Sequence, residues 1–277
     1  MRVVLIHGRA AAMAIPEIMA RDWEAALRFG LERTAPPGGR AGRLPDLDVR
    51  FASYGSIWRP DERQPLPAID FGPAVPEWGL PSLGDLSMWV DEHLGVAGTL
   101  LELLLHDVDD YYAEPDLRRL TNDRLVDAVR SGLPAGEQVV VVAFSMGTLV
   151  AYDTLRADPK LPVGALITCG SPLAMPSIYR RVEATGSSRA RVRTPFPSQL
   201  RLWVNVWTKD DPATAGHHDV AARFPAPDPA TQHVQDLETW GRSATPTSPF
   251  GAHDALDYLS SRTVGAAVRA AVRALAL

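Results

Sequence analysis

The sequence predicts an α/β fold: a mostly parallel central sheet flanked by helices, with a helical cap or lid inserted over about residues 54–134. Three observations predict it. The runs Val3-Val4-Leu5-Ile6 and Val139-Val140-Val141-Val142 are apolar without alternation, as strands buried on both faces must be. Segments with helical apolar spacing separate such runs, which is the rhythm of βαβ units. Between them lies a stretch with six prolines from residue 60 to 81, too irregular to belong to the sheet. At 277 residues the whole chain reads as a single domain.

The elements follow in order. Val3–Ile6 is a strand ended by Gly8. Ile18, Met19, Trp23, Leu27, Gly30 and Leu31 mark the apolar face of a helix over about 15–33, stopped by Pro36-Pro37-Gly38-Gly39. Asp48 to Ser53 alternates as a second strand. Within the insertion, helices are expected at about 83–106 and 116–131. Gln138–Phe144 is a third strand and Ser145–Ala157 its helix. Val163–Cys169 is a fourth strand, turned by Gly170-Ser171-Pro172, and Leu202–Trp207 a fifth. A weak sixth is expected near His233–Leu237, and an Ala/Val/Leu-rich helix from Thr263 closes the chain.

Composition narrows the function. A net charge of −5 with no compensating Lys/Arg run argues against nucleic-acid binding. The single cysteine, Cys169, cannot form an internal disulfide, so nothing asks for an oxidising compartment. The N-terminal apolar run is too short for a signal peptide, and Leu94–Leu105 falls short of a membrane span. The expectation is a cytoplasmic protein without membrane contact, acting on a small molecule. Glycine-rich phosphate loops are absent. His217-His218-Asp219 lacks the further ligands a metal site needs, so neither a metal nor a cofactor is expected.

The sharpest motif is Ala143-Phe144-Ser145-Met146-Gly147. A buried strand turns into a helix with serine at the apex, and the small residues on either side let the two backbones pack closely. The Met146 amide, at the helix N-terminus, points where an oxyanion would form. Together with Ile6-His7-Gly8-Arg9 and Cys169-Gly170-Ser171-Pro172-Leu173, this elbow resembles the α/β-hydrolase superfamily, with Ala143 standing where the usual pattern has glycine. The likeness covers the first ten residues, roughly 138–175, 201–214 and 250–265, and leaves the insertion uncovered.

The resemblance implies a nucleophile at Ser145 and a second oxyanion amide after the first strand, for which Arg9 is the candidate beside Met146. His7 is expected to hold that loop rather than to react. The acid should follow the fifth strand, where Asp210 and Asp211 both stand; the register of Trp203, Asn205 and Asp211-Pro212 favours Asp211. Of the later histidines, His253 lies in the loop before the closing helix, where the fold delivers its base. Gly8, Phe144, Trp58 and Trp89 are the expected substrate-binding residues. The aromatics of the insertion, Trp58, Phe71, Trp78, Trp89, Tyr111 and Tyr112, fit a pocket lining and packing of the cap equally well. The implied activity is serine hydrolysis of an ester, thioester or lactone. An acyltransferase or cyclase with the same triad, and a non-catalytic binding module on the same fold, stay open at this level.

Overall fold

The computed structural model of the protein describes residues 1–8, 15–34, 46–58, 106–185, 196–209, 211–214, 216–240 and 252–276. Six strands form one open, all-parallel sheet: β1 (Arg2–Ile6), β2 (Asp48–Ala52), β3 (Val139–Phe144), β4 (Val163–Cys169), β5 (Leu202–Trp207) and β6 (His233–Glu238). Their order across the sheet is β2-β1-β3-β4-β5-β6. The winding direction therefore reverses between β1 and β3. In an open parallel sheet, that reversal leaves a crevice at the carboxyl ends of the strands, where ligands bind. Gly8 and Ser145 follow these two strands.

The helices are α1 (Pro16–Glu32), α2 (Pro115–Arg130), α3 (Met146–Ala157), α4 (Pro176–Thr185), α5 (Val220–Arg223), α6 (Ala255–Ser260) and α7 (Arg262–Ala276), and residues 106–113 are helical as well. Alternate residues of each strand serve opposite faces of the sheet. Val3, Leu5, Val140, Val142, Ile167 and Val204 pack with Trp23 and Leu27 of α1 and with Val264 and Val268 of α7. Val4, Ile6, Val139, Val141 and Leu166 pack on the other face with Leu125 and Val129 of α2 and Leu149 of α3. Residues 3–6 and 139–141 are wholly buried, which is why no polar residue interrupts those runs. The edge strand β6 is only partly buried and correspondingly polar, so its sequence signal was weak.

Two expectations need adjusting. Residues 115–130, assigned to the cap, instead lie against β1, β2 and α3 through Thr121, Leu125 and Val129. The reason is topological: β2 and β3 run parallel on either side of β1, and a parallel crossover needs a helix covering the sheet. Ile18, placed on the buried face of α1, is 45% exposed; the face that packs is Trp23, Leu27, Gly30 and Leu31. Residues 54–58 and 106–113 of the expected insertion also join the core, through Tyr54, Trp58, Val108 and Tyr111. Residues 59–105, which include Phe71, Trp78, Trp89 and all but the last residue of the helix expected at about 83–106, lie outside the described residues.

Candidate active site

Ser145 sits between the last residue of β3 and the first of α3, with φ 53° and ψ −130°. Among the described residues it is the one non-glycine with positive φ. Such a conformation costs of the order of 1–3 kcal/mol and persists only where its surroundings enforce it. Its N–H donates to the Cys169 carbonyl (3.0 Å). Its carbonyl accepts from the Thr148 N–H (2.9 Å) and the Thr148 hydroxyl (2.7 Å). The Ser171 hydroxyl donates in turn to Thr148 Oγ1 (2.9 Å). The turn also brings α3 hard against β1. A Cβ on Gly147 would lie 2.5 Å from the His7 carbonyl oxygen and 2.8 Å from that of Ile6, so only glycine fits there.

The Ser145 hydroxyl lies 2.9 Å from His253 Nε2. His253 Nδ1 faces both oxygens of Asp211, at 2.9 and 3.0 Å. A carboxylate there requires the proton on Nδ1, which leaves Nε2 as the acceptor for the serine hydroxyl. Asp211 is itself fixed: Oδ1 accepts the Ala213 N–H (2.8 Å) and Oδ2 the Tyr258 hydroxyl (2.7 Å). All three side chains are buried, although they come from 108 residues of sequence separation between Ser145 and His253. A hydroxyl, an imidazole and a carboxylate thus stand in one hydrogen-bonded line, a geometry that can activate a serine for acyl transfer. Of the two aspartates, Asp211 faces the imidazole; Asp210 lies outside the described residues.

Gly8 faces the serine. A Cβ there would approach Ser145 Cβ to 2.8 Å, Ser145 Oγ to 3.1 Å and the Met146 nitrogen to 3.6 Å. The space above the hydroxyl and the Met146 amide therefore exists because residue 8 has no side chain. Met146 opens α3, and an amide in the first turn of a helix has no partner within it, so it can serve a developing negative charge. Arg9, the second amide expected, lies outside the described residues.

His7 holds this loop from beneath. Its Nε2 accepts the Tyr54 N–H (3.2 Å), and its Nδ1 donates to the Gly8 carbonyl. The Tyr54 hydroxyl donates to the His7 carbonyl (2.6 Å), and the two rings stack at 4.2 Å. Burial lowers the His7 pKa to about 4, which keeps this tautomer neutral.

Two expected pocket residues turn out to be packing residues. Phe144 stacks on His253 at 4.6 Å and meets Trp23 and Tyr258 from its other sides, supporting that imidazole from inside the core. Its side chain points this way because the strand alternates through Ala143 and Phe144, and residue 144 falls on the α1 face. Trp58 is buried against Tyr111, with its indole N–H on Thr121 Oγ1 (3.0 Å), so its polar handle is already engaged within the fold. Trp89 lies outside the described residues. Sequence reasoning missed Tyr258 as a partner of Asp211; the only signal was an aromatic residue on the helix directly after His253. It also missed the Thr148–Ser171 link, whose sequence signal was a hydroxyl residue in the first turn of α3.

His218 packs in the scaffold. His218 stacks on Trp207 with ring centres 3.5 Å apart, and its carbonyl accepts from Asn205 (3.1 Å). Among the described residues, no three His, Cys, Asp or Glu side chains cluster as metal ligands, and no helix is long and apolar enough to cross a membrane. Cys169 is buried, and burial pushes its thiol well above the usual range, so it is no nucleophile. A scan against protein-family models matches none, and no curated protein sequence matches the chain.

Proposed function

We propose that this protein is a serine hydrolase of the α/β-hydrolase superfamily, cleaving ester, thioester or lactone bonds through an acyl-enzyme. The observation that carries this reading is the continuous hydrogen-bonded chain from Ser145 through His253 to Asp211, with the serine at a strained strand-to-helix turn. An incidental N-cap serine needs neither the strain nor the two buried partners.

In this reading, His253 Nε2 takes the Ser145 proton as Oγ attacks the acyl carbon. The negative charge passes to the carbonyl oxygen, held by the Met146 amide and by a second amide, for which Arg9 remains the candidate. Collapse breaks the bond to the leaving group, which takes the proton from His253. Water then repeats the sequence, giving its proton to His253 and releasing the acid and the free serine. Asp211 holds the imidazole in the productive tautomer and stabilises its charged form. The scheme calls for no metal or cofactor.

The test is labelling with a fluorophosphonate, with the adduct located by peptide mass spectrometry. The expected result is modification of Ser145 in the parent protein and none in a Ser145→Ala variant, whose kcat on any ester substrate should fall by about 10⁶-fold. A folded parent that stays unlabelled would overturn the hydrolase reading. Turnover measured with and without added alcohols or amines then reports whether water or another acceptor receives the acyl group.

A further inference from the structure

We propose that Tyr258 is a positioning residue that sets how strongly His253 holds a proton, acting through Asp211. The inference rests on the reading of His253 as the base. Tyr258 lies on α6, the helix that follows His253, and its ring is 2% exposed. It packs at 5.8 Å from Phe144, the ring that carries His253 on its other side. Its hydroxyl accepts the Thr208 N–H (3.1 Å) and donates to Asp211 Oδ2 (2.7 Å). With the amide occupying one side of the oxygen, the single phenolic proton is directed at the carboxylate. Burial and the adjacent Asp211 hold the phenol well above its ordinary pKa, so it stays a donor throughout the working range.

A carboxylate oxygen that accepts a hydroxyl proton gives up part of its charge to that bond. The pull of Asp211 on the imidazolium is weakened correspondingly, and the carboxylate cannot rotate away, because Ala213 N–H holds its other oxygen. The pair is otherwise shielded. Cys169 at the end of β4 is a neutral thiol beside Asp211, and His7 beyond β1 is neutral. On α6 itself, Asp254 caps the helix through the Leu256 and Asp257 amides, and Asp257 is half-buried. Just after α1, which packs across α6, Arg33 donates to the Ser260 carbonyl and lies over the Phe29 ring, and Lys209 after β5 is exposed. Ser145 completes the set on the far nitrogen of the imidazole. Tyr258 thus acts on the carboxylate of the pair directly, through its own hydroxyl.

The experiment compares the full-length parent, Tyr258→Phe, and the parent with 3-fluorotyrosine incorporated at position 258. The His253 imidazole titration is followed by NMR, and fluorophosphonate labelling is measured against pH. Loss of the hydroxyl should move both the titration midpoint and the acid limb of labelling up by about one pH unit, the size of shift one lost hydrogen bond to a charged group produces. Labelling well below that limb should then fall about tenfold, with little change above it. Fluorotyrosine, a stronger donor of unchanged shape, should move the midpoint the opposite way, and it carries the test should Tyr258→Phe fail to fold. Unchanged midpoints in both altered proteins would make Tyr258 a structural residue only. A parent that is never labelled would instead sink the hydrolase reading, and the NMR titrations would still decide the role of Tyr258.

Discussion

Acid should weaken this fold through His7, and the size of the effect follows from its surroundings. His7 is 1% exposed, and both ring nitrogens are committed: Nε2 accepts from the Tyr54 amide, and Nδ1 donates to the Gly8 carbonyl. A second proton would have to sit on Nε2, facing an N–H that has no other acceptor there. The folded protein therefore resists protonation down to about pH 4, whereas the unfolded chain takes the proton near 6.5. Between these values the unfolded state binds more protons, so stability falls as pH falls, and the loss levels off below about 4. Converting the gap at about 1.4 kcal/mol per pH unit gives a loss of roughly 2 kcal/mol by pH 5 and about 3 kcal/mol at the plateau. The comparison is urea unfolding of the parent and of His7→Asn at pH 7 and pH 5. Asparagine does not titrate, and its amide N–H can reach the Gly8 carbonyl. The parent should lose about 2 kcal/mol more than the variant between the two pH values. Equal losses would refute the argument that His7 is a neutral, doubly engaged strut.

Gly8→Ala should fold but lose about 100-fold in labelling rate at Ser145, because its methyl group would stand 3.1 Å from the hydroxyl and displace the attacking geometry; labelling at the parental rate would show that the crevice between β1 and β3 is not the approach to the serine. Asp153, which accepts from the Tyr111 hydroxyl (2.9 Å), Arg118 Nε (2.7 Å) and Asn122 (3.0 Å), ties α2 to α3. Asp153→Ala should lower stability by about 3 kcal/mol, at the low end for a broken buried pair because Arg118 keeps some contact with water; chemical denaturation measures it, and a loss under about 1 kcal/mol would count against the network.

Much of the sheet was legible because strands buried on both faces have no freedom to carry polar residues. Val139–Val142 could hardly be anything else, whereas half-buried β6 showed only a faint pattern. The elbow was legible for a related reason: a buried strand meets a helix with a glycine at 147, where any Cβ would meet the His7 carbonyl oxygen at 2.5 Å. Asp211 and Asp210 differ by one place on the same loop, so the choice between them leaned on a resemblance, and only the fold shows which carboxylate faces His253. Aromatic residues were the hardest to place. Phe144 and Trp58 have the size and polarity of pocket walls, but the same properties suit a core, and burial is decided by partners far along the chain. Placing α2 in the cap overlooked the crossover that two parallel strands flanking a third demand. That requirement is visible only once the strand order is known.

The strain at Ser145 bears directly on how cleanly the serine can be tested. Holding φ at 53° costs about 1–3 kcal/mol, and a hydrogen bond returns about 1 kcal/mol net. The bonds that enforce the turn run from Ser145 N to the Cys169 carbonyl and from Thr148 N and Oγ1 to the Ser145 carbonyl. All of them use backbone atoms of residue 145, and none uses its hydroxyl. Close packing of Gly147 on β1 adds a constraint that is equally indifferent to that side chain. Alanine at 145 would therefore inherit the same strain and the same restraints, and lose only the contact with His253. The turn is built by β4, α3 and the end of β1, while the proposed chemistry would be carried by one oxygen atom projecting from it. That separation suits the proposed reaction, in which the serine is held rigidly while its proton comes and goes.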